Sequence, residues 1–448
     1  MDLSLKYYLS KRLYQMSRNT LYYSISIALG GLLLGYTASI FIVAEQATLL
    51  LERLTDGQNR VAVWSALLII LIGTLTAAMY AEACGRRSAL FWTGVLYFVS
   101  AFGPSIVSGL SSFLIFGGFG CLALGATLVI VPIYIVELSP RRYRGELVGF
   151  FQLNIVLGVL FAYLLVHIMP HFDIELGWSM LVGFEALPAL LFILLMRWVP
   201  ESPRWLLIKR KDVEGARAVF LLNDESDIEA TIERITSTVK QNEKVNWPNF
   251  WRLFFHIAFF SAFFQFSGIS VIIYYSPRIL SASGLDDQAI FLTSVGMGVV
   301  YLVFTLIAMH FIDRVGRKTL MYFGSVGLLV TLVLLAISFQ VGIQNYSIPI
   351  YMLCYMGFFA ISQGAVIWTF LPEISPNELR AYGQSFGSLF LMLLGAGTVC
   401  IFPWRNEQIG EGFTFFVFAA LMVLQLIFVG LLMPETSNKS LEELRDKY

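Results

Sequence analysis

Apolar runs of about 20 residues, separated by short polar joints, recur along the whole sequence. A hydrocarbon core of ~30 Å takes about 20 residues of helix at 1.5 Å per residue. Twelve runs meet that length: 20–44, 61–81, 89–110, 112–136, 147–168, 178–199, 252–281, 289–312, 320–341, 347–371, 383–403 and 412–433. The pattern predicts twelve transmembrane helices. Residues 1–19 are polar and basic, and the run after them is longer than a signal peptide's apolar core and shows no clear small-residue cleavage site. It is expected to stay as the first span.

One long polar stretch breaks the rhythm, at 200–251. Within it Ile228, Ile232 and Ile235 recur at helical spacing, which predicts short amphipathic helices rather than a disordered linker. The expected organisation is a six-span unit at 1–199, linker helices at 200–251, a second six-span unit at 252–433 and a tail at 434–448. With an even span count both termini share a side. All but four of the 30 Lys and Arg residues fall on that side, the exceptions being Arg53, Arg60, Arg278 and Arg405. Basic loops stay inside, so the termini and middle loop are expected to be cytoplasmic. Asn345-Tyr346-Ser347 fits a glycosylation triplet on the outer face, though so short a triplet is common by chance.

Composition agrees with lipid as the solvent: 57% of residues are hydrophobic and only 13% charged. Thirty acidic residues balance 30 basic ones, which removes the basic field that nucleic-acid binding requires. Cys84, Cys121, Cys354 and Cys400 are far apart, without metal-ligand spacing, and are expected to be buried apolar residues. Neither a P-loop lysine nor HExxH is present. No enzyme activity, cofactor or metal is expected.

Three local patterns occur twice, about 235 residues apart: Gly85-Arg86-Arg87 and Gly316-Arg317-Lys318, Glu137-Leu138-Ser139-Pro140 and Glu373-Ile374-Ser375-Pro376, Pro200-Glu201-Ser202 and Pro434-Glu435-Thr436. A duplicated six-span unit is the mark of transporters whose halves rock about a midplane site. A channel could also be duplicated, but ionic motifs repeated on one face suit halves that latch and unlatch.

More specific signatures lie inside the spans. They are Gly30-Gly31-Leu32-Leu33-Leu34-Gly35-Tyr36, Pro132-Ile133-Tyr134-Ile135-Val136-Glu137 with Arg144-Gly145, Pro200-Glu201-Ser202-Pro203-Arg204-Trp205-Leu206-Leu207, and Gln265-Phe266-Ser267-Gly268-Ile269 with Tyr274-Tyr275-Ser276. Together they resemble the sugar-porter family of the major facilitator superfamily over nearly the whole chain. The resemblance implies an all-α membrane protein of two pseudo-symmetric six-helix bundles with a cytoplasmic helical middle loop, working by alternating access on a small neutral solute and functional as a monomer.

Polar groups inside spans are costly in lipid, so those at the midplane are functional candidates. Gln152 and Gln265 lead, because an amide offers both donors and an acceptor to vicinal hydroxyls. The resemblance adds Trp368 as a stacking residue and Ser270 at an asparagine position, while Phe264 and Tyr301 stand where the family has polar contacts. Tyr274 and Tyr275 are expected at an outer gate, with an interfacial aromatic belt as the alternative. Gly364 is the remaining kink signal in a segment without its usual prolines. Apolar substitutions at Ala360, Leu391 and Met392 suggest a less hydroxylated or partly apolar solute.

Arg86, Arg87, Arg144, Arg204, Arg314, Arg317, Lys318 and Arg380 face Glu137, Glu201, Asp313 and Glu373 at helix ends. The resemblance implies a cytoplasmic latch; headgroup anchoring is the simpler alternative. Exposed ion pairs are worth only ~0–1 kcal/mol each, so a switch needs a network. Proton-linked members of the family carry an aspartate and an arginine where this chain has Thr37 and Gly117, which predicts facilitated diffusion. Glu185, a carboxylate within the sixth run, is the one rival proton site. An organic-ion carrier would need a charged cavity residue, and a signalling receptor tends to have a longer tail than the residues after 433.

Overall fold

The computed structural model describes residues 17–50, 56–106, 110–168, 181–223, 225, 227–240, 247–342 and 347–445. Two of the predicted features, Arg53 and the Asn345-Tyr346 pair of the triplet, lie outside these residues. In the first half the spans are Arg18–Leu50, Asp56–Cys84, Arg86–Ile106, Leu110–Leu138, Arg144–Ile168 and Leu181–Leu195. In the second they are Trp247–Phe266 with Ile269–Ala282, Asp287–Val315, Arg317–Val341, Ser347–Phe359 with Ala365–Ile374, Arg380–Ile409 and Glu411–Leu431. Twelve spans thus stand among the described residues, in two six-helix bundles. Most helices overrun their apolar runs by about a turn, because the ionic motifs occupy first and last turns: Arg86, Arg144, Arg317 and Arg380 each open a helix.

Two spans of the second half taken as continuous are interrupted. The seventh breaks at Gly268, whose φ of +87° is left-handed, and the Ser267 carbonyl freed there accepts the Tyr355 hydroxyl at 2.9 Å. A buried carbonyl without a partner would be costly in lipid, so the break survives because a neighbouring helix satisfies it. The tenth passes through a π-helical turn at Ala360–Gly364, of which Gly364 is the last residue. Hydropathy is continuous through both breaks, which is why run length alone did not show them.

The middle segment folds as Pro203–Trp205 running into Leu206–Arg210, then Val213–Leu222 and Ile228–Lys240. Leu207, Ala216, Phe220, Ile232 and Ile235 form its own small core, with Ile228 packed at the edge. Asn223 ties it to the bundle by donating to the Leu138 carbonyl at 3.1 Å. Spans one and five pack closely at Gly35, where a Cβ would lie 2.1 Å from the Ile155 carbonyl oxygen; small residues permit such contact between membrane helices. Only Cys121 is buried; Cys84, Cys354 and Cys400 are exposed, since an apolar run does not say which face of its helix turns outward.

Among the described residues, the core is continuous between the halves at one end only. Toward the repeated motifs, one cluster runs from Val136, Val148 and Phe151 of the first half to Ile312, Phe370 and Ile374 of the second. At the opposite end each half keeps a cluster to itself, Tyr36 with Ala162 and Leu181 in the first, Ile272 with Tyr355 and Phe415 in the second. The halves are closed over the motif face.

Candidate solute site and latch

Gln152, in the fifth span, joins the halves at mid-depth. Its Nε2 donates to the Tyr301 hydroxyl at 2.8 Å, and its Oε1 accepts the Trp368 indole N–H at 2.6 Å. The Trp368 ring stands edge-on to Phe151, with centroids 5.2 Å apart. In the second half, Gln265 donates from Nε2 to the Leu391 carbonyl at 2.9 Å and accepts the Ser270 hydroxyl at 2.6 Å. Phe264 and Tyr301 both meet Phe359, with centroids 5.1 and 6.0 Å apart. A primary amide has two N–H groups and two acceptor lone pairs. Among the described contacts one of each is used by protein, so both glutamines keep one further donor and one further acceptor.

The other predicted residues lie around this centre. Gly364 is beside Tyr301, where a Cβ would come 3.2 Å from the hydroxyl oxygen. Tyr274 and Tyr275 pack edge to face at 4.8 Å beyond the Gly268 break, and Tyr275 donates to the Val399 carbonyl at 3.0 Å. Glu185 lies at a turn inside the sixth span, buried, and accepts the Thr37 hydroxyl of the first.

On the motif face the duplication is reproduced in four ion pairs. Arg86 bonds Glu137 at 3.0 Å and Arg317 bonds Glu373 at 3.0 Å, each within its own half. The cross-links are then exchanged: Arg144 of the first half lies 3.5 Å from Glu373, and Arg380 of the second lies 3.4 Å from Glu137. Asp313 accepts the backbone amides of Gly145 and Glu146 at 3.0 and 2.8 Å, which caps the fifth span with an acid from the opposite half. Arg204 pairs with Glu442 of the tail helix Leu441–Arg445 and donates to Asn377 at 3.2 Å. Burial alone would raise the Glu442 carboxyl, but Arg204 holds it down at about 2.

Four predicted latch residues are used differently. Glu201 accepts the amides of Arg86 and Arg87 at 2.9 and 3.2 Å, and Glu435 those of Arg317 and Lys318 at 2.9 and 3.0 Å. These acids cap helices of their own halves. The Gly85 and Gly316 φ values of +96° and +95° let each chain turn tightly over the acid, where a Cβ would sit 2.3 or 2.4 Å from a carboxylate oxygen. Arg87 and Lys318 grip carbonyls of their own halves, at Met196 (3.0 Å) and Gly430 (2.9 Å). Arg314 is exposed and forms no ion pair among the described residues.

The latch is not the exposed network that charge at helix ends suggested. Arg317 and Arg380 are fully buried, and Arg144, Glu137 and Glu373 nearly so, because closing the halves excludes water from pairs that face solvent in each half alone. Sequence reading missed Glu82, Asn377 and Glu442. Only Glu82 carried a signal, its spacing of four residues from Arg86.

The sequence pattern of the family described as "Sugar (and other) transporter" matches residues 20–448. The chain is 30% identical to the glucose transporter GlcP of Staphylococcus epidermidis, covering 93% of this chain and 94% of that one. It is 28% identical to the D-xylose-proton symporter of Escherichia coli K12, covering 93% of each. Its structure matches the proton:xylose symporter XylE bound to 6-bromo-6-deoxy-D-glucose with a TM-score of 0.88 at 27% identity, over 96% of this chain and 98% of that one. Against the inward-open form of XylE from E. coli the score is 0.71 at the same identity, over 95% and 99%. A sequence match of this extent, on a duplicated twelve-helix frame with its ionic motifs in register, makes the chain a multi-pass membrane transporter of the sugar-porter family within the major facilitator superfamily.

Proposed function

We propose that the protein is a facilitative carrier of a sugar or related polyol, with the latched face toward the cytoplasm. Gln152 carries the reading. It bonds both Tyr301 and Trp368 across the halves, so a solute that engages its free donor and acceptor acts at one of the contacts that join the halves. Binding energy directed at such a contact is what shifts a two-state carrier. Glucose and xylose, named for the relatives above, set the size class. The phenylalanines around the amides favour a solute with one apolar face.

Proton coupling through Glu185 is the second reading, and one observation favours it. The carboxylate is buried against Thr37 with no basic partner within ion-pair distance among the described residues, an arrangement suited to a carboxyl that takes up and gives back a proton. Uptake by the purified protein in liposomes separates the two. The facilitative reading predicts equilibration that an uncoupler leaves unchanged and that Glu185→Gln preserves. Accumulation against a gradient, abolished by the uncoupler and by Glu185→Gln, contradicts it in favour of symport. A thermal-shift panel of hexoses, pentoses and polyols tests the solute class, since a true ligand stabilises by mass action; stabilisation by ionised compounds alone would overturn it.

A further inference from the structure

Beside the latch, but outside it, the ends of spans two, three and six and the start of the middle segment enclose a cleft of about 700 Å³. Its charged lining is Arg87, Arg197, Arg210, Glu201 and Asp212. Both acids are already engaged. Glu201 caps the third span, and Asp212 accepts the Gly215 amide at 2.9 Å and caps Val213–Leu222. Burial raises the Glu201 carboxyl, against the backbone amides of Ser202, Arg87 and Arg86 that donate to it.

The three arginines are not matched in this way. Arg87 donates to the carbonyls of Met196 and Arg197 at 3.0 and 2.7 Å, which fixes its guanidinium without supplying a countercharge. Arg210 rests 5.2 Å from the centre of the Trp205 ring. Among the described residues no acid is within ion-pair distance of Arg87, Arg197 or Arg210. Three guanidinium groups thus face two carboxylates in the cleft, and among the described residues none of the three is in an ion pair.

Its surroundings say what kind of anion fits. Trp92, in the lining, and Trp198, next to the lining residue Arg197 in the chain, are 54% and 62% exposed at the ends of spans three and six, the level where amphipathic rings sit between headgroups and hydrocarbon. The duplication provides an internal control. In the second half Lys318 grips the Gly430 carbonyl as Arg87 grips that of Met196, but Leu431 and Leu432 follow where Arg197 and Trp198 stand in the first. The scaffold is built equally well without the extra charge and the ring.

We propose that this cleft binds the phosphate of an anionic phospholipid from the adjoining leaflet, with Arg197 and Arg210 neutralising it, Arg87 as the fixed third donor and Trp92 with Trp198 against the glycerol and upper acyl chains. Guanidinium groups suit phosphate through their paired N–H donors, and a basic residue at a lipid surface contributes enough that losing two weakens binding about 30-fold.

The test is native mass spectrometry of the full chain in detergent, titrated with phosphatidylglycerol or phosphatidylcholine, with inorganic phosphate in a third arm. The wild type should retain phosphatidylglycerol in clear preference to phosphatidylcholine and be thermally stabilised by it. The double variant Arg197→Gln/Arg210→Gln should bind phosphatidylglycerol about 30-fold more weakly while its melting temperature in detergent alone is unchanged. Equal retention of the two lipids by the wild type, or an unaltered preference in the variant, overturns the proposal. Stabilisation by inorganic phosphate alone overturns it in favour of a soluble anion. Should the double variant not fold, Arg197→Leu, the residue of the other half, provides the same reading.

Discussion

Arg144 of the fifth span reaches across the two halves to Glu373 of the tenth, at 3.5 Å, and the same carboxylate receives Arg317 from its own half at 3.0 Å. Arg380 and Arg86 share Glu137 in the same manner. Each shared acid is thus paired both within its own bundle and with the other, as a latch would require. An acid that keeps its internal arginine when the halves part is never left as an uncompensated buried charge, which is the expensive outcome. Opening therefore costs the exchanged pairs and not the whole network.

Removing a shared acid should disturb this balance sharply. Glu373→Ala leaves the buried Arg144 guanidinium without its carboxylate and Arg317 with Asp313 alone, and is expected to destabilise the closed form by about 3–5 kcal/mol. A cysteine at Ser388, buried between the eleventh and fourth spans, in a background without the exposed native thiols, should then label faster than in the parent. Unchanged labelling would show that Glu373 does not hold this face shut.

At the proposed solute site the contributions are expected to be unequal. Gln152→Ala removes the amide that links both halves and should weaken solute binding about tenfold or more, with little change in melting temperature. Tyr301→Phe should cost less, because Trp368 still orients Gln152. Isothermal titration with the solute that stabilises best orders the two variants; a larger loss for Tyr301→Phe would place the main contact on the eighth span.

The tail helix gives a pH dependence of defined sign. The Glu442 carboxyl is lowered in the folded protein to about 2, so its contribution is fully present above the ordinary glutamate value of ~4.3 and fades as pH falls toward 2. Glu442→Gln should be less stable than the parent at pH 7 by about 3 kcal/mol at most, and the gap should narrow below pH ~4. A gap that is constant from pH 7 to pH 3 would mean that the Arg204 pair does not stabilise the fold.

How much of this was legible in the sequence depended on the physics involved. The spans were readable because hydrocarbon thickness imposes a length, and the duplication because Gly85-Arg86-Arg87 and Gly316-Arg317-Lys318 keep the same order. Which base meets which acid was not readable: Arg86, Arg87 and Arg144 are equally basic, and only the turn at Gly85 sends Arg86 to Glu137 and Arg87 to the Met196 carbonyl. Gln152 and Gln265 stood out as amides in apolar runs, whereas their partners Trp368, Tyr301 and the Leu391 carbonyl lie far off in the chain. The Gly268 break was hidden because Tyr355, 87 residues away from it by number, satisfies the carbonyl it frees at Ser267.

Counterflow in proteoliposomes bears most directly on a site that faces one side at a time. Vesicles loaded with unlabelled solute and diluted into a trace of labelled solute should show a transient rise of label inside above its outside concentration, lost in Gln152→Ala. Label that only equilibrates, at a rate indifferent to the solute loaded inside, would describe a pore and contradict the account.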